Sequence, residues 1–181
     1  MIMKLILISI LLFTGFSDTD LIEQIRNEYN LINKSFDSYT KVENNDINVY
    51  KDLNPDNYSF EGEEIYRIAM INLIRYYDNG EIKKAVVNFN GDRQDLISEY
   101  YYKNDSLFFV FKTQLDYKNP KWSKDFNKTD KKVLENRFYF NGEKLIKWID
   151  FNKETVDLTT IDSTLTKKIL SDSELYKNIA K

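Results

Sequence analysis

Three segments of the chain repeat one order of residues: two aromatic residues, a short polar turn and an aliphatic strand. They are YYDNGEI at residues 76–82, YYKNDSL at 101–107 and YFNGEKL at 139–145. Each turn contains Asn-Gly or Asn-Asp, which tolerate the positive φ angles of a type I′ turn. Each segment therefore predicts a β-hairpin, and three hairpins predict six antiparallel strands. We expect these strands at residues 64–77, 80–89, 94–103, 106–115, 132–141 and 144–151, with a turn at residues 90–92.

Two further segments have helical periodicity. The first, residues 20–36, begins with Asp20 and Glu23 in a capping-box pattern. Its apolar residues recur at spacings of three and four: Ile22, Ile25, Tyr29, Ile32 and Phe36. In the second, after residue 157, apolar residues lie four apart: Ile161, Leu165 and Ile169. Residues 171–174, SDSE, resemble another capping box, so we expect one interrupted C-terminal helix or two short ones.

The fold class follows from these elements. Residues 37–64 are polar and contain Pro55, which predicts irregular chain with one short strand at residues 47–50. An antiparallel meander needs one face covered, and the amphipathic N-terminal helix suits that role. We therefore predict an α+β domain of residues 18–181, with an N-terminal helix packed on a six-strand meander. The sequence leaves open which face the C-terminal helix or helices cover.

The first 17 residues, MIMKLILISILLFTGFS, have the pattern of a cleavable export signal. Lys4 supplies the positive charge, residues 5–13 form the apolar region, and Gly15 and Ser17 are small residues near a cleavage point. The apolar run is shorter than the ~20 residues of a spanning helix, although an N-terminal anchor is the alternative. We expect an exported protein, periplasmic or secreted, with no stable membrane insertion after signal cleavage.

Composition removes several function classes. The chain has no cysteine, which excludes a lipoprotein anchor, disulfides and thiol nucleophiles. It has no histidine, so a Ser-His-Asp triad cannot form, and catalysis would rest on Asp, Glu, Tyr, Lys or Arg. A formal net charge of −3 provides no basic footprint for nucleic acid. We expect no nucleic-acid partner and no cofactor.

Residues 61–64, EGEE, place three carboxylates beside a glycine where the first strand begins. Glu61, Glu63 and Glu64 are therefore weak candidates for calcium ligands or for a general acid and base. The competing interpretation is a solvated acidic turn, because carboxylates are common in surface loops.

The strand ENRFYF has a polar face. Glu135, Arg137 and Tyr139 alternate along one side, while Leu134, Phe138 and Phe140 take the other. An acid, a guanidinium and a phenol in a row could bind a sugar or a carboxylate-bearing ligand. A cross-strand network that needs no ligand is the alternative interpretation.

The long connection at residues 116–131 is a candidate interaction surface, because long loops in small domains are often functional. It contains Trp122 and Phe126 among lysines that include Lys121 and Lys124. Exposed aromatics among lysines could stack on a sugar or dock an acidic protein. Alternatively, both rings fold back onto the sheet edge.

The segments EGEE, YYDNGEIKKAVV and ENRFYFNGEKLIKWID, in this order, are similar to those of a group of small exported bacterial proteins with no assigned activity. The resemblance spans roughly residues 25–150. It implies an exported soluble domain and carries over no functional residue.

Two functional hypotheses remain. The first is a non-catalytic binding or accessory module of the bacterial cell envelope, which holds an envelope protein, a glycan or a lipid-like ligand. The second is a small hydrolase that acts on a glycan, with Glu61, Glu63 or Glu135 as acid or base. Two carboxyl groups facing each other across a cleft would favour the hydrolase, whereas an apolar cleft between helix and sheet would favour ligand binding.

Overall fold

A seven-stranded antiparallel sheet dominates the computed structural model, which describes residues 18–44 and 68–179. The strands are β1 (Thr40–Asn44), β2 (Ile68–Asp78), β3 (Glu81–Gly91), β4 (Gln94–Lys103), β5 (Ser106–Tyr117), β6 (Lys131–Asn141) and β7 (Lys144–Ile149). Their order in the sheet is their order in the chain, so every strand pairs with its sequence neighbours. The α+β class and the meander are confirmed.

Turn chemistry fixes the register of the three predicted hairpins. Asn79 and Gly80 both have positive φ between β2 and β3, as do Asn104 and Asp105 between β4 and β5. Two consecutive positive φ angles are those of a type I′ turn, whose twist matches the flanking strands. In the third hairpin the positive φ belongs to Gly142.

The prediction of six strands was wrong, because β1 adds a seventh at the edge of β2. Val42 pairs with Arg75, and only Val42 and Asn44 of its five residues are partly buried. Such a short, polar strand has no hydrophobic alternation and depends on the edge offered by β2. At their described ends, the six predicted strands agree with the structure to within two residues.

Helix α1 (Asp18–Lys34) covers one face of the sheet. It begins two residues before the predicted start, so Asp20 lies in its first turn rather than at its cap. Ile25 and Ile32 are buried against Tyr101, Phe109 and Tyr139 of the sheet. The predicted apolar stripe is therefore the face that packs.

Helix α2 (Ser163–Asn178) runs without interruption through the predicted second capping box. Its N-cap is Asp162, whose carboxylate accepts a hydrogen bond of 3.0 Å from the Thr164 amide. Asp172 and Ser173 are buried, and the Ser173 carbonyl accepts a hydrogen bond of 3.1 Å from the Tyr102 hydroxyl. Tertiary contacts therefore keep helical a segment whose local pattern predicted a break.

The two helices cover opposite faces of the sheet. Tyr100 packs with Tyr176 of α2, whereas its neighbour Tyr101 packs with Tyr29 of α1. Successive strand residues point to opposite faces, so adjacent aromatics supply two separate cores. This arrangement answers the question that the sequence left open about the C-terminal helix.

Lys112 of β5 is a partly buried cation on the α2 side of the sheet, with its ammonium 6.0 Å from the Phe138 ring centroid. Burial lowers the pKa of its ammonium from 10.5 to about 8, and Asp172 opposes that shift. Lys112 is still charged at pH 7, where the folded state carries the cost of burying it.

Lys112→Met is expected to raise the free energy of unfolding at pH 7 by about 1–2 kcal/mol, after allowance for partial exposure. Because its pKa is lowered by folding, the unfolded chain binds more protons between pH 8 and 10.5. The stability of the wild type therefore rises relative to that of the variant between pH 8 and 10.5. The stability gained by Lys112→Met falls toward zero near pH 10. Urea unfolding at pH 7 and 10 measures both values. The exposed Lys144→Met is the matched control, and a gain independent of pH would contradict the assignment.

The predicted signal segment, residues 1–17, and the predicted strand at residues 47–50 lie outside the described residues. Within residues 18–44 and 68–179, neither helix has the length and apolarity needed to cross a bilayer.

Candidate functional site

A cleft of about 620 Å³ lies between α1 and strands β5 to β7. We call it the α1 cleft. Its described lining consists of one helix face and the strand residues opposite it: Ile25, Arg26, Tyr29, Asn30, Phe109, Phe111, Glu135, Arg137, Tyr139, Ile149 and Lys153. The volume is in the range of small-molecule sites.

The polar row on β6 forms one wall of the cleft. Glu135, Arg137 and Tyr139 share a face because side chains alternate along a strand, as the sequence predicted. Arg137 donates from Nη2 to Glu135 Oε2 at 2.6 Å, and both side chains remain about one-third exposed. Antiparallel pairing places Phe111 of β5 opposite Arg137, and the guanidinium carbon lies 5.1 Å from the ring centroid.

Aromatic residues form the floor. Tyr139 and Phe109 are buried with ring centroids 5.0 Å apart, and Tyr29 of α1 meets Phe109 edge-on at 5.1 Å. Burial raises the pKa of the Tyr29 phenol, so it stays neutral throughout the physiological range. The floor is therefore aromatic and uncharged, and it is fixed by contacts with both the helix and the sheet.

Positive charge predominates in the described lining of the cleft. Arg26, Arg137 and Lys153 line the cleft, and Glu135 is the only acidic residue in its described lining. Lys153 has a φ of +67°, unusual for a residue with a Cβ. The turn holds it there because the Asp150 carboxylate accepts hydrogen bonds of 2.9 Å from the Asn152 and Glu154 amides.

A buried polar network anchors α1 beside the cleft. Lys84 on β3 donates to Asn33 Oδ1 of α1 at 3.1 Å and pairs with Glu99 at 3.2 Å. The Tyr101 hydroxyl donates to the same carboxylate at 2.5 Å. Burial lowers the pKa of Lys84, with Glu99 opposing, and burial raises that of Tyr101. This network fixes the helix that forms one side of the cleft.

The residues of the β5–β6 connection lie outside the described lining of the cleft. Trp122 is 77% exposed, whereas Phe126 packs edge-on against Tyr117 with centroids 5.3 Å apart. Lys121 pairs with Asp95, and Lys124 is exposed. Burial, reinforced by a hydrogen bond to Asp95, raises the pKa of Tyr117 to about 12. Of the two rings, Phe126 folds back and Trp122 does not.

The acidic candidates Glu61, Glu63 and Glu64 lie outside the described residues, so their role remains a prediction. Among residues that the structure describes, no group of three or more acidic side chains is placed to hold a metal ion.

Sequence reasoning found the β6 wall but missed most of the cleft. Arg26 and Asn30 each follow a residue of the predicted apolar stripe, Ile25 and Tyr29, which was the one available signal. Phe111 and Lys153 reach the cleft through strand register and a turn, neither of which a local pattern encodes.

The geometry of the cleft is the basis on which a function can be inferred. Its charge, its aromatic floor and its size each restrict the ligand it could hold. Comparison with known proteins gave no match: no family model, no curated protein and no solved structure is significantly similar to this chain.

Proposed function

We propose that this protein is an exported, non-catalytic binding module of the bacterial cell envelope. In this proposal the α1 cleft holds a small ligand that combines a carboxylate with an apolar or ring-shaped body. The observation that carries the proposal is the position of the Arg137 guanidinium in a cleft with an uncharged aromatic floor.

Charge supports an anionic ligand. Three cationic side chains and one carboxylate line the described part of the cleft, leaving an excess of two positive charges in a chain of net charge −3. Arg137 has five N–H donors in a planar fork, and its bond to Glu135 uses Nη2. The N–H groups that this bond leaves free can donate to a ligand carboxylate in paired geometry.

The floor supports an apolar or ring-shaped body. Tyr139 and Phe109 are at least 96% buried, and their packing against Tyr29 positions them without a ligand. Because the floor is preformed, less conformational entropy is lost when a ligand binds. A flat ring or a short acyl chain fits such a surface better than a fully polar ion does.

The hydrolase alternative needs two carboxyl groups across the cleft at about 5–10 Å. In the described lining Glu135 alone carries one, and it is paired with Arg137. The described residues therefore favour binding over this chemistry.

Two variants that test the proposal are expected to change ligand affinity in opposite directions. Arg137→Gln is expected to weaken the binding of a carboxylate ligand by about 10- to 100-fold, the effect of losing a charged hydrogen bond. Glu135→Gln is expected to tighten binding several-fold because it removes the anion that competes for the guanidinium. Benzoate, octanoate and glucuronate, each with its uncharged alcohol or sugar analogue, are suitable probes for calorimetry and thermal shift.

The exposed Arg93→Gln removes the same charge at the β3–β4 turn and should leave binding unchanged. Equal binding of charged and neutral probes would contradict the proposal, as would an unchanged affinity in Arg137→Gln. Turnover of chromogenic glycosides that Glu135→Gln abolishes would instead establish the hydrolase.

A further inference from the structure

The β5–β6 connection exposes a tryptophan in a way that the cleft does not explain. We define the Trp122 loop as residues 118–130. Trp122 is 77% exposed, more than Leu31 at 57% or Val133 at 48%, the other large exposed hydrophobic residues in the described chain. A tryptophan is rarely left in water, because its burial contributes more than that of any other side chain.

The exposure occurs in an ordered loop. The Lys121 amide donates to the Asp92 carbonyl at 2.7 Å, and the Ser123 amide donates to the Pro120 carbonyl at 2.9 Å. These bonds hold the residues on both sides of Trp122. The ion pair of Lys121 with Asp95 also ties the loop to β4. The indole is therefore presented outward by a fixed backbone.

The surroundings of Trp122 are basic. The Trp122 loop contains four lysines and two aspartates, a net charge of +2 in a chain whose total is −3, and Lys131 and Lys132 follow at the start of β6. Lys118 pairs with Asp130 at 3.5 Å, while Lys124 and Lys128 are exposed. A basic patch on an otherwise acidic chain is complementary to an anionic surface.

We propose that the Trp122 loop docks this protein reversibly onto an anionic lipid bilayer. The indole enters the headgroup region, where an apolar ring with one N–H donor is favoured, and the exposed lysines contact lipid phosphates. A bilayer requires only one amphipathic ring and diffuse positive charge. This inference is independent of the ligand proposed for the α1 cleft.

Cosedimentation of the full chain with vesicles tests the docking. We expect binding to vesicles of phosphatidylglycerol and phosphatidylcholine, at least tenfold weaker binding to phosphatidylcholine alone, and release at about 0.5 M salt, where screening is strong. Trp122→Ala and the double variant Lys124→Glu/Lys128→Glu are each expected to weaken binding at least tenfold. Because these side chains are exposed, the variants should keep the wild-type Tm.

Two substitutions serve as matched controls. Leu31→Ala removes another exposed apolar side chain, and Lys144→Glu reverses a charge at the opposite end of β6. Both should bind vesicles like the wild type. Vesicle binding that survives both loop variants, as binding through the apolar N-terminal residues would, overturns the proposal. Polyglutamate binding without vesicle binding also overturns it, in favour of an acidic protein partner.

Discussion

Arg75→Met is expected to lower the free energy of unfolding by about 3 kcal/mol. Arg75 is 2% exposed and joins three elements. Nη1 donates to the carbonyls of Ile179 at 2.7 Å and Lys177 at 3.3 Å, and Nη2 donates to Asn44 Oδ1 at 2.9 Å. The variant keeps the apolar stem, but it leaves the carbonyls of Lys177 and of the C-cap Ile179 without this donor and removes a cation from the C-terminus of α2.

Urea unfolding followed by circular dichroism gives the loss directly, and hydrogen exchange locates it. Arg75→Met should speed amide exchange more in β1 and in the last turn of α2 than in β4 and β5, because Arg75 ties β1 and the end of α2 to β2. Arg75→Lys should fall between wild type and Arg75→Met, since an ammonium cannot reproduce the planar fork. The exposed Arg93→Met should change stability by less than about 0.5 kcal/mol. A similar small change in Arg75→Met would show that these bonds contribute little.

The hairpins were predictable because their determinants are local. Asn79-Gly80 and Asn104-Asp105 adopt the positive φ angles that their residue types favour, and alternating side chains fix the faces of each strand. The same period of two correctly placed Glu135, Arg137 and Tyr139 on one face.

The elements that sequence reasoning missed depend on tertiary contacts. Strand β1 forms because it pairs with the edge of β2 and because its Asn44 accepts a hydrogen bond from Arg75. The residues of β1 themselves show almost no apolar periodicity. Helix α2 continues through the capping pattern around Ser173 because the Tyr102 hydroxyl donates a hydrogen bond to the Ser173 carbonyl. Within the helix, Lys168 also forms an ion pair with Asp172 at 3.1 Å. Contacts between residues 31 and 71 positions apart in sequence decide these local structures.

The cleft residues outside β6 could not be predicted from sequence for the same reason. Phe111 lies beneath Arg137 only because β5 and β6 pair in one particular register. Lys153 reaches the opening only because the turn at Asp150 gives it a positive φ. A pattern within one strand can predict a wall of a site, but the opposite wall requires the fold.

Glu99→Leu is expected to lower the free energy of unfolding by about 2–3 kcal/mol. It removes the anion 3.2 Å from the Lys84 ammonium and the acceptor of the Tyr101 hydroxyl. The Lys84 side chain is 6% exposed, so its charge would remain buried without a counterion. The loss is smaller than for a fully buried pair because the Glu99 side chain is 23% exposed and already reaches water. Glu99→Gln should cost less, since its amide can still accept from Tyr101.

The double variant Lys84→Met/Glu99→Leu separates the buried charge from simple loss of packing. Removing one partner of a buried ion pair leaves the other ion buried without a counterion. Replacing both ions with apolar groups also removes the cost of desolvating them. The double variant should therefore recover most of the stability, with a coupling energy above about 1.5 kcal/mol in urea unfolding. In Glu99→Leu alone, the already lowered pKa of Lys84 falls further. The unfolded chain then binds more protons as pH rises toward 10.5, so the deficit of Glu99→Leu should shrink in alkali. Additive losses with no pH dependence would instead mean that the pair acts only by filling space under α1.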